Sequence, residues 1–213
     1  YRALGRTSQQ ACRRPLGELL HPAVELSVDP VVKVDTAQRR VGGQSRRWYP
    51  YTYLVLAAGA QVVPERTPGL KEAGEQFYTE EGADRLYRRL AAFTAGTVVV
   101  SVIGIPHMCP VAPLEMAFLL DAFFRARGCR DQVQLVYTYP INRVHSNPAI
   151  AEWAAPELAA RNIRVETFFN VDRIDPERKV IETMEGTELP FDLLIGIPEH
   201  AAPGFLEASG LTV

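Results

Sequence analysis

The sequence predicts an α/β protein whose centre is a parallel sheet with a β-meander, attached to a mainly β region. Three observations predict it. Residues 97–103 (TVVVSVI) form a nearly continuous apolar run, the pattern of a strand covered on both faces. Residues 112–128 read as a strong helix, and residues 133–137 (VQLVY) as the next buried strand. A strand, a helix of that length and a second strand make a βαβ unit, and such units build parallel sheets.

Along the chain, residues 9–20 form a weak helical pattern interrupted by Pro15. Residues 23–28 and 31–35 predict short strands, followed by a basic turn and a strand near Arg40 and Val41. Residues 47–56 predict a long strand that ends in Ala57-Ala58-Gly59-Ala60, small residues that admit close approach to the backbone. A loop containing Pro64, Pro68 and Gly69 leads to a helix over 80–93, whose apolar positions Ala83, Leu86, Leu90 and Phe93 keep helical spacing. In the helix over 112–128, Pro113 suits the first turn, Glu115 the positive end, and Arg125 and Arg127 the negative end. Gly128 stops it. A helix over 148–161 and a strand over 163–167 follow. Short alternating segments at 171–174 and 179–183, with Glu185-Gly186 as a turn, predict an antiparallel meander, and 191–197 (FDLLIGI) is a last buried strand closed by Pro198. Residues 96–198 thus read as a complete α/β domain and residues 1–77 as strands of a different, incomplete one.

Composition sets the outer limits. The 213 residues are 47% hydrophobic and 23% charged, which excludes a disordered tail, a collagen-like rod and a coiled coil. The net charge of −2 lacks the basic excess of a nucleic-acid binder. Residues 1–48 alone are basic, with nine Arg or Lys against four acids, including the pairs Arg13-Arg14, Arg39-Arg40 and Arg46-Arg47. No apolar run approaches the ~20 residues of a membrane helix. Three cysteines, Cys12, Cys109 and Cys129, without a CxxC spacing point to neither a disulfide framework nor a zinc site. The first residue, Tyr1, is not Met, and the sequence reads as a piece of something longer.

The turn between the first sheet strand and its helix carries the chemistry. A dinucleotide-binding domain places GxGxxG there, so that bare backbone and a helix N-terminus receive the pyrophosphate. This turn reads Gly104-Ile105-Pro106-His107-Met108-Cys109-Pro110, with only the first glycine kept. The acid that would hold the ribose is absent too, because the next strand ends Val136-Tyr137-Thr138. The architecture of a nicotinamide-binding domain is there without its binding chemistry. In its place a cysteine stands before a helix N-terminus, where the dipole and free N–H groups favour a thiolate, and a protonated His107 would add positive charge. Cys109 is therefore a candidate redox or nucleophilic thiol, against the alternative of a small apolar residue filling the turn. Cys129, past the helix end, reads as inert and Cys12 as structural. His145 and His200 read as solvent-facing or turn-stabilising, and Trp48 and Trp153 as packing residues. Glu115 either stabilises its helix or assists proton transfer.

These residues resemble a known family. Residues 53–60 (YLVLAAGA) are similar to the YD-x-LV-x-ATGA signature of flavoproteins with two dinucleotide-type domains. Residues 104–115 resemble the G-x-P-x-x-C-P-x-A-P-x-E segment of sulfide:quinone oxidoreductases and flavocytochrome c sulfide dehydrogenases. Residues 191–200 resemble their second YDLLI-x-x-PPH motif, and Ser209-Gly210-Leu211 fits as well. The resemblance implies an incomplete FAD domain over 1–95, a Rossmann-like nicotinamide-type domain over 96–198, and a return toward the FAD domain over 199–213. It implies FAD as cofactor, with Val31 near the adenine, Ala57, Ala58 and Gly59 along the flavin nucleotide and Pro110 beside it. Cys109 then passes electrons from sulfide to the flavin, together with a second cysteine nearer the C-terminus. The implied partners are sulfide or another small sulfur compound, a quinone or cytochrome acceptor and no nucleic acid, with homo-oligomers and a peripheral membrane, cytoplasmic or periplasmic setting left open. A related alternative is an NADH:quinone-type flavin oxidoreductase; a non-catalytic α/β module is another.

The sequence departs from the family at several places. Thr52 replaces an Asp, Ala58 a Thr, and Glu199 a Pro. Tyr78-Thr79-Glu80-Glu81-Gly82-Ala83 stands where the quinone reductases carry C-T-x-E-H-A, which favours the two-cysteine branch. Nothing in residues 1–22 supplies the first GxGxxG, and the second cysteine is absent. The resemblance thus implies an internal fragment that binds FAD weakly or not at all and does not turn over.

Overall fold

The computed structural model describes residues 1–212. Contacts divide the chain into two units, one of Tyr1–Gln9 with Val62–His200, the other of Gln10–Gln61 with the residues from Ala201 onward. Residues 62–95, read from the sequence with the first domain, pack in the unit that holds the parallel sheet.

The smaller unit is built on an antiparallel sheet of β1 (Val31–Asp35), β2 (Arg40–Gly43) and β3 (Trp48–Pro50). A short helix, α1 (Leu16–Leu19), precedes it, and α6 (Gly204–Glu207) packs on β1. Ser209 ties that end to the sheet, its hydroxyl accepting the Val34 N–H at 2.8 Å and donating to the Phe205 carbonyl. The strand expected over 47–56 stops at Pro50, because its partner β2 begins at Arg40, opposite Pro50, and a strand needs a ladder. The strand expected over 23–28 is absent for the same reason; these residues are exposed and unladdered. Trp48 is also exposed rather than packed, with the Arg40 guanidinium over its ring. A two-residue strand, β4 (Gln61–Val62), ends the segment.

The larger unit is a three-layer sandwich. Its sheet comprises β5 (Gly74–Glu75), β6 (Gly96–Val102), β7 (Val133–Tyr139), β8 (Ile163–Thr167) and β12 (Leu193–Ile197) in the order β5-β12-β6-β7-β8, every neighbouring pair parallel. On one face lie α3 (Glu80–Ala92), α4 (Ala112–Ala126) and α5 (Pro148–Ala160), with Leu86, Leu90, Leu120, Phe124 and Leu158 meeting Val98, Val100 and Val102 in one core. On the other face β9 (Val171–Asp175), β10 (Val180–Thr183) and β11 (Glu188–Pro190) form the meander, and a second core joins Val99, Val136 and Leu194 to Ile174, Ile181 and Leu189. Alternate valines of β6 thus serve opposite cores, which is why the run needs no polar residue until Ser101. That hydroxyl bonds to Thr138 across the β6–β7 pair at 2.8 Å. Near the meander, the short helix α2 (Leu70–Ala73) buries Leu70 against the second core.

The helices begin where side chains satisfy their free N–H groups. Thr79 accepts from Gly82 at the start of α3, and Asn147 from Ala149 and Ile150 at the start of α5. After α4, Gly128 takes a left-handed φ of 69° and closes the helix. Among the described residues no helix is long and apolar enough to cross a membrane.

The far end of the sheet is locked by one buried ion pair. Arg130 bonds Asp121 at 2.6 Å and the carbonyls of Val133, Arg161 and Asn162, so α4, β7 and the end of α5 share one guanidinium. Neighbouring arginines hold the Asp121 carboxyl below the usual carboxylate range although burial opposes this. Removing one member of such a pair leaves an uncompensated buried charge. Replacing Arg130 with Leu should cost about 3–5 kcal/mol, read as a lower midpoint in urea unfolding of the whole chain.

Candidate functional site

Ligands of open α/β sheets bind beyond the carboxyl ends of the strands, and Cys109 lies there, in the turn between β6 and α4. Two strand ends fix that turn. The carbonyl of Ile197, last residue of β12, accepts the N–H groups of Ile103 and Gly104 at 2.9 and 3.2 Å. Farther along, the His200 N–H donates to the Pro106 carbonyl at 3.2 Å. Gly104 is retained for contact with protein: a β-carbon there would lie 2.2 Å from the Glu199 nitrogen.

Cys109 adopts a left-handed φ of 49°, uncommon for a residue with a side chain, and its thiol is exposed. Its carbonyl accepts the N–H of Ala112, first residue of α4. Glu115, one turn into the helix, is also exposed. Cys129 is buried, its sulfur 3.9 Å from the Phe124 carbonyl, and Cys12 is exposed.

The surroundings differ from the sequence expectation. His145 and His200, expected at the surface or in turns, are buried, and so is His107. His145 does stabilise a turn, its Nδ1 accepting the Asn147 N–H at 2.9 Å. His107 does not supply positive charge. Burial pushes it toward the neutral form, the carbonyls of Gly104 and Pro110 oppose this weakly, and His145 adds to the push. His200 is likewise held neutral, first by burial and then by His107. Tyr78 completes the group, its ring edge-on to His200 at 4.5 Å between centroids and stacked on Phe77 at 4.8 Å. Burial pushes the Tyr78 phenol up, and a charge on Cys109 pushes it further. Tyr78 escaped the sequence reading because only its place in a departing motif marked it.

Of the other expected site residues, Pro110 lies in the larger unit and Val31, Ala57, Ala58 and Gly59 in the smaller. Ala57, Ala58 and Gly59 are exposed, Gly59 has a φ of 69°, and a β-carbon built on it meets nothing. The preceding Tyr53 and Val55 are 92% and 87% exposed, an apolar run with bare backbone and no cover. Val31 is 37% exposed on β1. Pro110 is exposed beside Cys109. An open small-residue ledge of this kind fits a nucleotide lying along the backbone. Among the described residues no cluster of His, Cys, Asp or Glu is arranged to hold a metal.

The two neutral histidines make stability depend on pH. Both have folded values below the ordinary 6.5, so the unfolded chain binds these protons more readily. Their contribution is complete above pH 6.5 and declines as the pH falls below it. The urea midpoint should therefore drop between about pH 7 and pH 5, and the drop should shrink in a His107→Gln, His200→Gln double variant.

Known proteins resemble this chain in sequence and fold. The profile of the pyridine nucleotide-disulphide oxidoreductase family matches residues 8–212. The mitochondrial sulfide:quinone oxidoreductase of Mus musculus is 22% identical over 192 residues, spanning 85% of this chain and 43% of that protein. An NADH dehydrogenase-like protein of Mycobacterium tuberculosis is 35% identical over 169 residues, 74% of this chain and 40% of its own length. Among solved structures, the sulfide:quinone oxidoreductase of Aquifex aeolicus superposes with a TM-score of 0.72 at 24% identity, over 85% of this chain and 44% of that one. The ferredoxin reductase of the CYP199A2 system of Rhodopseudomonas palustris gives 0.69 at 22%, over 94% and 48%. The chain spans under half of each of these relatives. FAD is the cofactor of this family. With a match over almost its whole length, the chain belongs to the pyridine nucleotide-disulphide oxidoreductase family of flavin oxidoreductases.

Proposed function

We propose that the whole protein is a flavin-dependent sulfide dehydrogenase with Cys109 as the sulfur-accepting thiol and a quinone or cytochrome as final acceptor. One observation carries this reading. An exposed cysteine in a left-handed conformation occupies the turn where relatives of this architecture would seat a pyrophosphate. An accessible sulfur there can be held in a disulfide that sulfide opens, a new S–S bond forming as the old one breaks and the displaced cysteine leaving as a thiolate. FAD, when bound, supplies the two-electron acceptor, and Val31, Ala57, Ala58 and Gly59 are the residues of this chain that would hold it, with Pro110 beside the reacting sulfur. The names of the relatives add support, since sulfide–quinone enzymes of Aquifex aeolicus and of two further organisms match over 76–97% of the chain. The 213 residues by themselves should bind FAD weakly or not at all, and should not turn over.

A second reading takes NADH as the donor. The 35% identity to the NADH dehydrogenase-like protein, higher than that to the sulfide enzymes quoted above, favours it. The turn speaks against it: Pro106 and Cys109 stand where bare backbone is needed, and Thr138 of β7 leaves the ribose without its acid.

Reduction of the flavin in the whole protein separates the two. Sulfide should bleach its visible absorbance and NADH should not, and Cys109→Ser should slow the sulfide reaction by about a hundredfold or more. Bleaching by NADH that survives Cys109→Ser would establish the second reading instead. A stoichiometric yellow chromophore in the 213-residue chain would contradict the expected weak binding of FAD.

A further inference from the structure

The cysteine turn is anchored from outside and has little to hold it within. The Ile197 carbonyl accepts the Gly104 N–H, the His200 N–H donates to the Pro106 carbonyl, and the Cys109 carbonyl accepts the Ala112 N–H. No backbone–backbone hydrogen bond joins two residues of 104–110. A stretch without such bonds has many conformations open to it, yet Cys109 keeps a φ of 49°, which few residues with a side chain adopt. Such a conformation persists only where its surroundings impose it.

One side chain braces the turn from inside. Ile105, Pro106, Met108, Cys109 and Pro110 are exposed, whereas His107 between them is buried, at 9% exposure. Its Nδ1 lies 2.9 Å from the Gly104 carbonyl. A carbonyl only accepts, so Nδ1 carries the hydrogen and donates it. The Pro110 carbonyl lies near the same ring, which therefore stands between the two ends of the segment. Gly104 is a firm anchor, fixed by its bond to the end of β12 and by its close contact with Glu199. With the ring tied to it, only a short span remains between His107 and the start of α4, and the left-handed Cys109 lies in that span. The imidazole is also a costly filler, because its Nε2 is buried without a partner. An aliphatic side chain would fill the same space without that cost, so the nitrogen that does bond is what the ring contributes.

We propose that His107 is a positioning residue for the sulfide reaction: its Nδ1–H, donated to the Gly104 carbonyl, fixes the path of the turn and keeps Cys109 left-handed with its sulfur exposed. His107 acts through the backbone and not on the substrate. The proposal rests on the reading of Cys109 as the reacting sulfur.

Paired substitutions separate this hydrogen bond from mere space filling. His107→Asn places an amide N–H where Nδ1 stands, and His107→Gln places its own where Nε2 stands, away from Gly104. In the whole protein, flavin reduction at saturating sulfide should slow by about tenfold or more in His107→Gln and His107→Leu. His107→Asn should recover most of that loss. A rate in His107→Gln equal to or above that in His107→Asn would overturn the proposal, since the larger amide fills the imidazole's space better. Rates unchanged in all three would overturn it as well. Cys109→Ser in the same assay keeps the two ideas apart. Should it leave the rate unchanged, the sulfur reading falls and the positioning role with it. Should it stop the reaction while the His107 variants run normally, only the positioning role falls. Flavin content and the urea midpoint report any variant that fails to fold. Independently of variants, nitrogen NMR of the unsubstituted 213-residue chain at about pH 8, where an imidazole is neutral, should show the Nδ1–H tautomer at His107. The Nε2–H tautomer there would leave Gly104 without its donor and overturn the proposal.

Discussion

The cysteine turn depends on the parallel pairing of β6 with β12. These strands lie side by side at the centre of the sheet, in register from Val98 opposite Leu193 to Val102 opposite Ile197, and both are buried on both faces. Neither can slide without moving alternate side chains into the wrong core. Their ends are therefore fixed points, and the Ile197 carbonyl hands that fixity to residues 103 and 104. A strained cysteine conformation persists only where its surroundings over-determine it. Here the helix ahead, the strand end behind and the 198–200 segment alongside supply that constraint.

The same packing explains why the turn does not have the form of a dinucleotide site. In a dinucleotide site successive glycines let phosphate oxygens reach the backbone. Here Gly104 is filled from the protein side by Glu199, so the glycine that survives no longer serves a ligand. Pro106 then lends its carbonyl to His200, and Cys109 occupies the place before the helix. Where a dinucleotide site has bare backbone, this turn presents an exposed cysteine.

Much of this was legible in the sequence wherever a pattern is enforced by burial. The valine run of β6, the amphipathic α3 and the alternating meander each declare their environment, and each appears at the expected place within a few residues. Legibility fails where a partner decides. Residues 47–56 have strand composition, yet only Trp48–Pro50 finds a ladder. It fails again for polar residues whose surroundings come from distant segments. His107, His145 and His200 sit at separate strand ends, and Tyr78 precedes α3; no local spacing shows that the sheet gathers them behind Cys109. The cysteine itself was visible because its turn departs from a mechanism with strict demands.

The groups gathered behind the turn answer a physical constraint. Fixed charges buried there without partners would be costly. The histidines are instead held toward the neutral form by burial, and carbonyls at Nδ1 of His107 and His200 leave each Nε2 a buried lone pair. The exposed cysteine turn thus stands against a wall whose polarity comes from neutral rings rather than from ions.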